Sequence, residues 1–274
     1  GYLITSIILK ELVITKNFSF KNFYLRRIRR IIPPIFIVII FTFPFFFFLF
    51  FPAPLIDLSK SLFFTLIFGS NFYFYYSGLV YGAESGLLKP FLHTWSLSVE
   101  EQFYILFPLL FLFIAKNFKN FFYISLLILI IFSILFAEYF NQNHRLINFY
   151  ILPSRIWELC AGSLIAYIHS FPKKFNFLLN YSNNISTNYI SLFGILIITF
   201  SVFFFRNELN HPSYKTLFPV FGTCLIIYCI NYKKNLINTV LKFKPLVYIG
   251  LISYSLYLWH YPILSFVNYL DLYK

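Results

Sequence analysis

The chain has 274 residues, of which 59% are hydrophobic and 24% aromatic, with only 11% charged. Soluble domains carry about a quarter of their residues as charges, so the composition excludes an ordinary soluble enzyme and identifies an integral membrane protein. The formal net charge of +13 would suit nucleic acid in a soluble chain, but here the placement of Lys and Arg along the sequence carries the information.

Taken in order, the sequence opens on Gly rather than Met, and GYLIT reads as the end of an apolar segment whose beginning precedes it. The expectation is therefore a chain lacking its amino-terminal part. A polar, basic link follows from Ser6 to Arg30, ending in FYLRRIRRIIPP, and apolar runs then fall at 35–52, 61–76, 102–115, 121–137, 155–169, 190–205, 216–230 and 246–267. About 18 apolar residues span a bilayer, and shorter runs do so when tilted or flanked by snorkelling residues. The 61–76 run is short, starts beside Lys60 and leads into the Gly- and Tyr-rich NFYFYYSGLVYGAESG.

Charge placement assigns that run. If it dips in and returns, Lys10, Lys16, Lys21, Arg26, Arg27, Arg29 and Arg30 share a side with Lys116, Lys119, Lys173, Lys174, Lys233, Lys234, Lys242 and Lys244. That side then holds fifteen of the 22 basic residues and, of the acids, only Glu11. If the run crossed, the first seven would face away from the later eight, against the positive-inside rule. The expected fold is thus all-α: a polytopic transmembrane helical bundle in a single domain over 1–274. It has seven full crossings, one half-crossing segment and the remnant of an earlier helix. The 10–30 link is cytoplasmic, and 78–100 and 138–154 face outward. No internal repeat of the kind common in transporters is visible. Cys160, Cys224 and Cys229 lie in apolar segments without metal-ligand spacing and read as buried thiols.

Four stretches could carry chemistry. In HTWSLSVEEQFYILFPLL, from His93 to Leu110, Glu100 and Glu101 stand at the mouth of an apolar run, where ionisable groups are costly unless paired. A capping box with Ser98 as N-cap accounts for Glu101 but not for Glu100. His93, seven residues before Glu100, falls within reach of the same pocket. Arg26 with Arg29 and Arg27 with Arg30 make two overlapping RxxR pairs at helical spacing. Such a pair can clamp a phosphate or pyrophosphate, or can simply be a juxtamembrane cluster touching anionic lipid. Arg155 and Glu158 are three apart at the start of a crossing, as an ion pair or a polar site, with Gly162 pointing to close helix packing. In the last crossing Ser253, Tyr257 and His260 share one face, with Tyr254 and Tyr261 on a neighbouring one. A neutral imidazole and tyrosine hydroxyls in hydrocarbon each need a partner, structural or catalytic. His144, His169 and His211 have no sequence companions and read as surface or interfacial. No metal-ligand cluster is visible, so no metal site is expected.

Together GYLIT, FYLRRIRRIIPPIF, HTWSLSVEEQFYILFPLL, RIWELCAGSLIAY and PLVYIGLISYSLYLWHYPIL resemble the acyltransferase 3 family of bacterial membrane O-acyltransferases, in the family's order and almost end to end. The resemblance implies transfer of an acyl group, usually acetyl, from cytoplasmic acyl-CoA to a hydroxyl of an envelope glycan such as O-antigen, exopolysaccharide or peptidoglycan. The implied setting is the bacterial cytoplasmic membrane, with lipid, donor and glycan as partners, no bound cofactor and no nucleic acid. It implies catalytic roles for Glu100, His93, Tyr257 and His260, and donor binding by Arg26, Arg27, Arg29 and Arg30. Trp95, Ser96, Glu101, Arg155, Glu158, Ser253 and Tyr254 would meet the acceptor. The family's Arg and catalytic His on its first helix have no counterpart here, so the chain alone is expected to be inactive. A glycan exporter or a degenerate structural copy remains the alternative reading.

Overall fold

The computed structural model describes residues 1–80, 85–117, 121–175, 184–205, 211–231 and 235–271. Lys119, Lys233 and Lys234 of the basic set therefore lie outside the described residues. Among the described residues 85% are helical and none is in a strand, as the apolar runs predict. In chain order the described helices are α1 (Tyr2–Thr15), α2 (Phe20–Leu49), α3 (Pro52–Leu66), α4 (Ser70–Gly78), α5 (Thr94–Asn117) and α6 (Phe122–Asn143). They continue with α7 (Arg145–Tyr150), α8 (Ile156–Ser170), α9 (Asn184–Phe204), α10 (Leu217–Tyr228), α11 (Leu236–Leu241) and α12 (Lys244–Asp271). Among the described residues, four stretches are long and apolar enough to cross a membrane: Phe20–Leu49, Thr94–Asn117, Phe122–Asn143 and Thr187–Phe204. α8 and α10 are shorter apolar helices of 15 and 12 residues, and the 28-residue α12 is long but diluted by tyrosines.

Two helix boundaries differ from the sequence reading. The Ser6–Arg30 link is helical over most of its length: α1 continues through Lys10 and Glu11 to Thr15, ending on Lys16 in the left-handed region (φ 57°). α2 then starts at Phe20, with Ser19 accepting from the Asn22 amide at 3.4 Å. Only four residues separate the two helices, and the basic residues 21–30 belong to α2. The second difference is the 61–76 run, which is broken into two helices. α3 ends in paired terminal bonds, Gly69 N–H to Phe64 O at 2.8 Å and Phe68 N–H to Thr65 O at 3.2 Å, with Phe68 left-handed at φ 55°. This is the helix stop in which Gly usually occupies the left-handed position, and Phe there costs about 1 kcal/mol. At 1.5 Å per residue, the 15-residue α3 and the 9-residue α4 are each too short for a hydrocarbon core about 30 Å thick.

The chain divides into two compact units. The first comprises Gly1–Phe18 and Phe103–Val247. An aromatic series runs through it from Phe103 to Phe107 (ring centroids 4.6 Å apart), Phe111, Phe122 and Tyr167. Its helices approach closely through glycines. A Cβ on Gly162 would stand 2.9 Å from the Tyr2 amide, so α1 lies directly on α8, the close packing that Gly162 implied. Gly194 and Gly222 face each other across α9 and α10, and a Cβ on either would stand 2.7 Å from the other's carbonyl oxygen. In membranes, where lipid is as apolar as a side chain, such close backbone approach is a main source of helix association.

The second unit comprises Ser19–Gln102 and Tyr248–Lys274. Its core joins Ile31, Ile35, Val38 and Phe46 of α2 to Leu58 and Leu62 of α3, Phe91 and Leu97 near the start of α5, and Leu258 and Tyr269 of α12. The opposite face of α2 presents Ile37, Ile40, Phe47 and Phe48 outward, as expected for a lipid-facing stripe. Inside this unit lie all the sequence-predicted site residues except Arg155 and Glu158.

Candidate active site

The start of α5 carries two polar faces. Thr94, Ser98 and Gln102, four residues apart, face the α3–α4 break. Thr94 Oγ1 meets Thr65 Oγ1 at 2.9 Å and donates to Ser70 Oγ at 3.0 Å, and Ser98 Oγ meets Ser70 Oγ at 2.8 Å. The Gln102 amide donates to the Phe68 carbonyl at 3.0 Å and to Asn71 Oδ1 at 2.8 Å, and the Asn71 amide returns a bond to Gln102 Oε1 at 3.4 Å. Asn71 is fully buried. The capping-box reading is thereby corrected. The helix already begins at Thr94, so Ser98 sits in its second turn, and its hydroxyl is used by Ser70 rather than by an amide of its own helix.

The other face carries His93, Ser96 and Glu100, with Glu101 one turn beyond the core residue Leu97. Ser96 Oγ meets the Tyr257 hydroxyl at 2.8 Å, and Tyr257 donates a short hydrogen bond to the His93 carbonyl, tying α5 to α12. One turn earlier on α12, Tyr254 donates to the Ile31 carbonyl of α2 at 3.2 Å. Nearby, Pro33 and Pro34 remove the amides that would normally serve the Arg29 and Arg30 carbonyls. Tyr254 lies within electrostatic range of Glu100, Glu101 and Arg30, and Glu101 within range of Arg27. Three helices thus bring guanidinium, carboxylate and phenol groups together in one apolar unit.

The two carboxylates differ in a way that reverses the sequence weighting. Glu100 is exposed, whereas Glu101 is 6% exposed and its Oε1 has no hydrogen-bond partner among the described residues. A buried carboxylate oxygen without a donor is costly, so Glu101, which local capping seemed to explain, is the anomalous member. The arginines divide as well: Arg27 is half-buried with its guanidinium over the Phe23 ring at 5.7 Å, while Arg26, Arg29 and Arg30 are exposed. Trp95 is half-buried in the first turn of α5.

His93 sits just ahead of α5, buried among rings: Tyr257 at 5.0 Å and His260 at 5.1 Å edge-on, Tyr261 at 5.5 Å nearly parallel. Among the described residues, neither imidazole nitrogen meets a partner in full hydrogen-bond geometry. The Leu258 carbonyl, released from its helix by Pro262, lies near enough to favour a proton on the ring but outside bonding geometry. Burial first, and then His260, push the His93 pKa down to about 3, against that carbonyl. The ring is therefore neutral at any physiological pH. Ser253 returns its hydroxyl to the Gly250 carbonyl at 2.8 Å, and exposed His260 donates through Nδ1 to the Tyr257 carbonyl. The predicted Ser253–Tyr257–His260 stripe is real as a helix face, but only its last two members adjoin His93.

An interaction with no signal in the sequence holds the segment before His93. Lys89, almost fully buried, pairs with Asp57 at 3.5 Å and donates to Ser77 at 3.3 Å, and Tyr73 donates a short hydrogen bond to the same Asp57. The Thr94–Ser98–Gln102 face, by contrast, was readable from its spacing.

In the first unit, Arg155 and Glu158 form the expected ion pair at 3.7 Å, with Arg155 Nε also donating to the Phe149 carbonyl at 3.1 Å. His169 corrects the reading of an isolated histidine. Tyr2 meets its Nδ1 at 3.2 Å and its Nε2 lies 3.1 Å from the Tyr228 carbonyl, which fixes Nε2 as the protonated nitrogen. His211 has burial and Arg155 to depress its pKa.

Comparison with known proteins agrees with the motifs. The family described as "Acyltransferase domain" matches residues 1–273. The chain is 29% identical to "Peptidoglycan O-acetyltransferase OatA" of Listeria monocytogenes, over 97% of this chain and 43% of that protein. It is 30% identical to "O-acetyltransferase OatA" of Staphylococcus aureus, over 98% and 45%. It is also 30% identical to "Putative peptidoglycan O-acetyltransferase YrhL" of Bacillus subtilis, over 96% and 42%. The chain thus spans less than half the length of these curated relatives. No solved structure matches. Matched by that family from its first residue to residue 273, and carrying the family's motifs in order, the chain belongs to the acyltransferase 3 family.

Proposed function

We propose that this chain is the membrane part of an O-acyltransferase that takes an acetyl group from acyl-CoA on the cytoplasmic side and gives it to a hydroxyl of a cell-envelope glycan. Peptidoglycan is the acceptor favoured by the relatives' names. The observation that carries the proposal is the buried Glu101, with an oxygen lacking a donor, gathered with Arg27, Tyr254 and Tyr257 inside an apolar unit. Burial of such groups in a membrane is costly and points to function.

In this reading the exposed Arg26 and Arg29 grip the phosphates of the donor. Arg27 and Arg30 hold the carboxylates Glu100 and Glu101 in place. The acceptor oxygen attacks the acetyl carbonyl while its proton passes to the catalytic His that the family carries on its first helix; the C–S bond breaks and the departing thiolate takes that proton, with the buried, neutral His93 bordering the site. Tyr257 fixes the His93 segment, and His260 adjoins it on the exposed face. Trp95, Ser96 and Ser253 border the acceptor's approach. The basic residues at the start of α2 support placing the donor on the cytoplasmic side, and because Arg27 and Arg30 lie in range of the Glu101 and Tyr254 cluster, Glu100 and Glu101 belong with them rather than at the outward end that the sequence reading gave.

The test supplies acetyl-labelled donor to cells whose envelope glycan lacks O-acetyl groups, with the protein expressed in its full reading frame. Alkali-labile label on glycan is expected, and Glu101→Gln should abolish it. Unlabelled glycan, with the protein in the membrane and acceptor present, would overturn the proposal.

A further inference from the structure

A helix on the surface of a folded chain normally turns an apolar stripe inward and a polar face outward. In the first unit, α11 does the reverse. Its buried side is polar. Asn235 caps it by accepting from the Asn238 amide at 3.1 Å, and donates to the Thr187 carbonyl and to Ser191 Oγ, each at 2.9 Å. Asn238 donates to the Cys229 and Ile230 carbonyls at 2.9 and 3.0 Å, and the Leu236 amide donates to Asn188 Oδ1 at 2.8 Å. Its outer side is apolar: Leu236, Val240 and, just beyond the helix, Phe243 are 68%, 60% and 62% exposed. An inside-out helix of this kind is at odds with water and suits the acyl boundary of a membrane.

Between α11 and the start of α9 lies a cleft of about 290 Å³ lined by Asn188, Tyr189, Leu192, Leu236 and Ile237. Tyr189 and Leu192 are exposed, so the cleft opens on the same apolar side. Its volume is near the lower bound of small-molecule sites, about 300 Å³, and suits a length of acyl chain. Charge lies beside it. Lys242 ends α11 and Lys244 starts α12, both exposed, and the described residues from 184 to 247 include no carboxylate that would offset them. An apolar slot next to two cations complements an anionic amphiphile.

We propose that the cleft between α9 and α11 binds an anionic phospholipid, with an acyl chain against Leu192 and Leu236 and the headgroup phosphate held by Lys242 and Lys244. The lipid covers the apolar side of α11 that the bundle leaves bare. The site is independent of the acyltransferase reading, since none of its residues belongs to the candidate active site.

The experiment uses the full-length protein in phosphatidylcholine nanodiscs with a trace of phosphatidylglycerol that carries a photoactivatable diazirine on one acyl chain. After illumination, cross-links are mapped by peptide mass spectrometry. Label is expected on Tyr189, Leu192, Leu236 and Ile237, and added phosphatidylglycerol should compete it away where zwitterionic phosphatidylethanolamine does not. Lys242→Gln plus Lys244→Gln should lower that label about tenfold and leave cross-links on other lipid-facing helices unchanged. Leu192→Trp, which fills the cleft and keeps both lysines, should also remove it. Label spread evenly over all lipid-facing helices would overturn the proposal, as would cleft label that phosphatidylethanolamine competes equally well, since both describe ordinary annular lipid. The competition on the parent protein decides by itself should either variant fail to fold.

Discussion

The amide pair between Asn71 and Gln102 is open to a double-mutant cycle. Replacing Gln102 by Leu keeps the approximate volume. It removes the bonds to the Phe68 carbonyl (3.0 Å) and Asn71 Oδ1 (2.8 Å) and the return bond from the Asn71 amide (3.4 Å). Asn71, with no exposed surface, is then left without that partner. A buried polar group without its partner costs about 1–3 kcal/mol, and measured polar pairs between membrane helices average about 0.6 and reach about 1.7 kcal/mol. Each single Leu variant should therefore lose about 2 kcal/mol. The double variant Asn71→Leu with Gln102→Leu removes both ends of the pair and should lose little more than either single, giving a coupling of about 1–2 kcal/mol. Unfolding in bicelles, followed by a steric-trap or denaturant titration, measures all four corners. Losses that add to within about 0.5 kcal/mol would refute the claim that this pair locks the helix break to α5.

Other outcomes follow from the same geometry. Tyr257→Phe removes the tie to Ser96 and the His93 carbonyl and should cost about 1 kcal/mol of stability by thermal melt, with a fall in transfer rate larger than any change in donor KM. Gly222→Val sets a side chain against the Gly194 carbonyl and Ile198 and should cost about 1–3 kcal/mol by overpacking, where Gly250→Val, in open space, should not. His93 gives a pH dependence of definite sign. Its folded pKa is near 3 against 6.5 unfolded, so the stability conferred by its neutral burial is complete above about pH 6.5 and is lost as pH falls towards 3. His93→Gln should flatten that limb of a stability-versus-pH series.

Apolar runs and charge placement were enough to read the helical membrane class, because in a bilayer length and hydropathy are themselves the constraint. The motif words located most of the candidate site, and Tyr257, His260 and His93 do come together from positions more than 160 residues apart. What the sequence hid was assignment of roles. Ser98 and Glu101 have the spacing of a capping box, yet a helix start four residues earlier at Thr94 sends Ser98 to Ser70 and leaves Glu101 buried. The Lys89–Asp57 pair and the His169–Tyr2 contact join residues distant in the chain, with no periodicity to announce them. The break of the 61–76 run falls on a left-handed Phe68, where propensity alone would not place it.

The central claim is that the buried carboxylate cluster serves acetyl transfer across the membrane. The most direct measurement is alkali-labile acetyl label on envelope glycan from donor supplied to the cytoplasmic face, comparing the full-length parent with Glu101→Gln and with Arg26→Ala plus Arg29→Ala. The account predicts label from the parent, none from Glu101→Gln despite normal donor binding, and weakened donor use in the double arginine variant. Parental labelling by Glu101→Gln would contradict it.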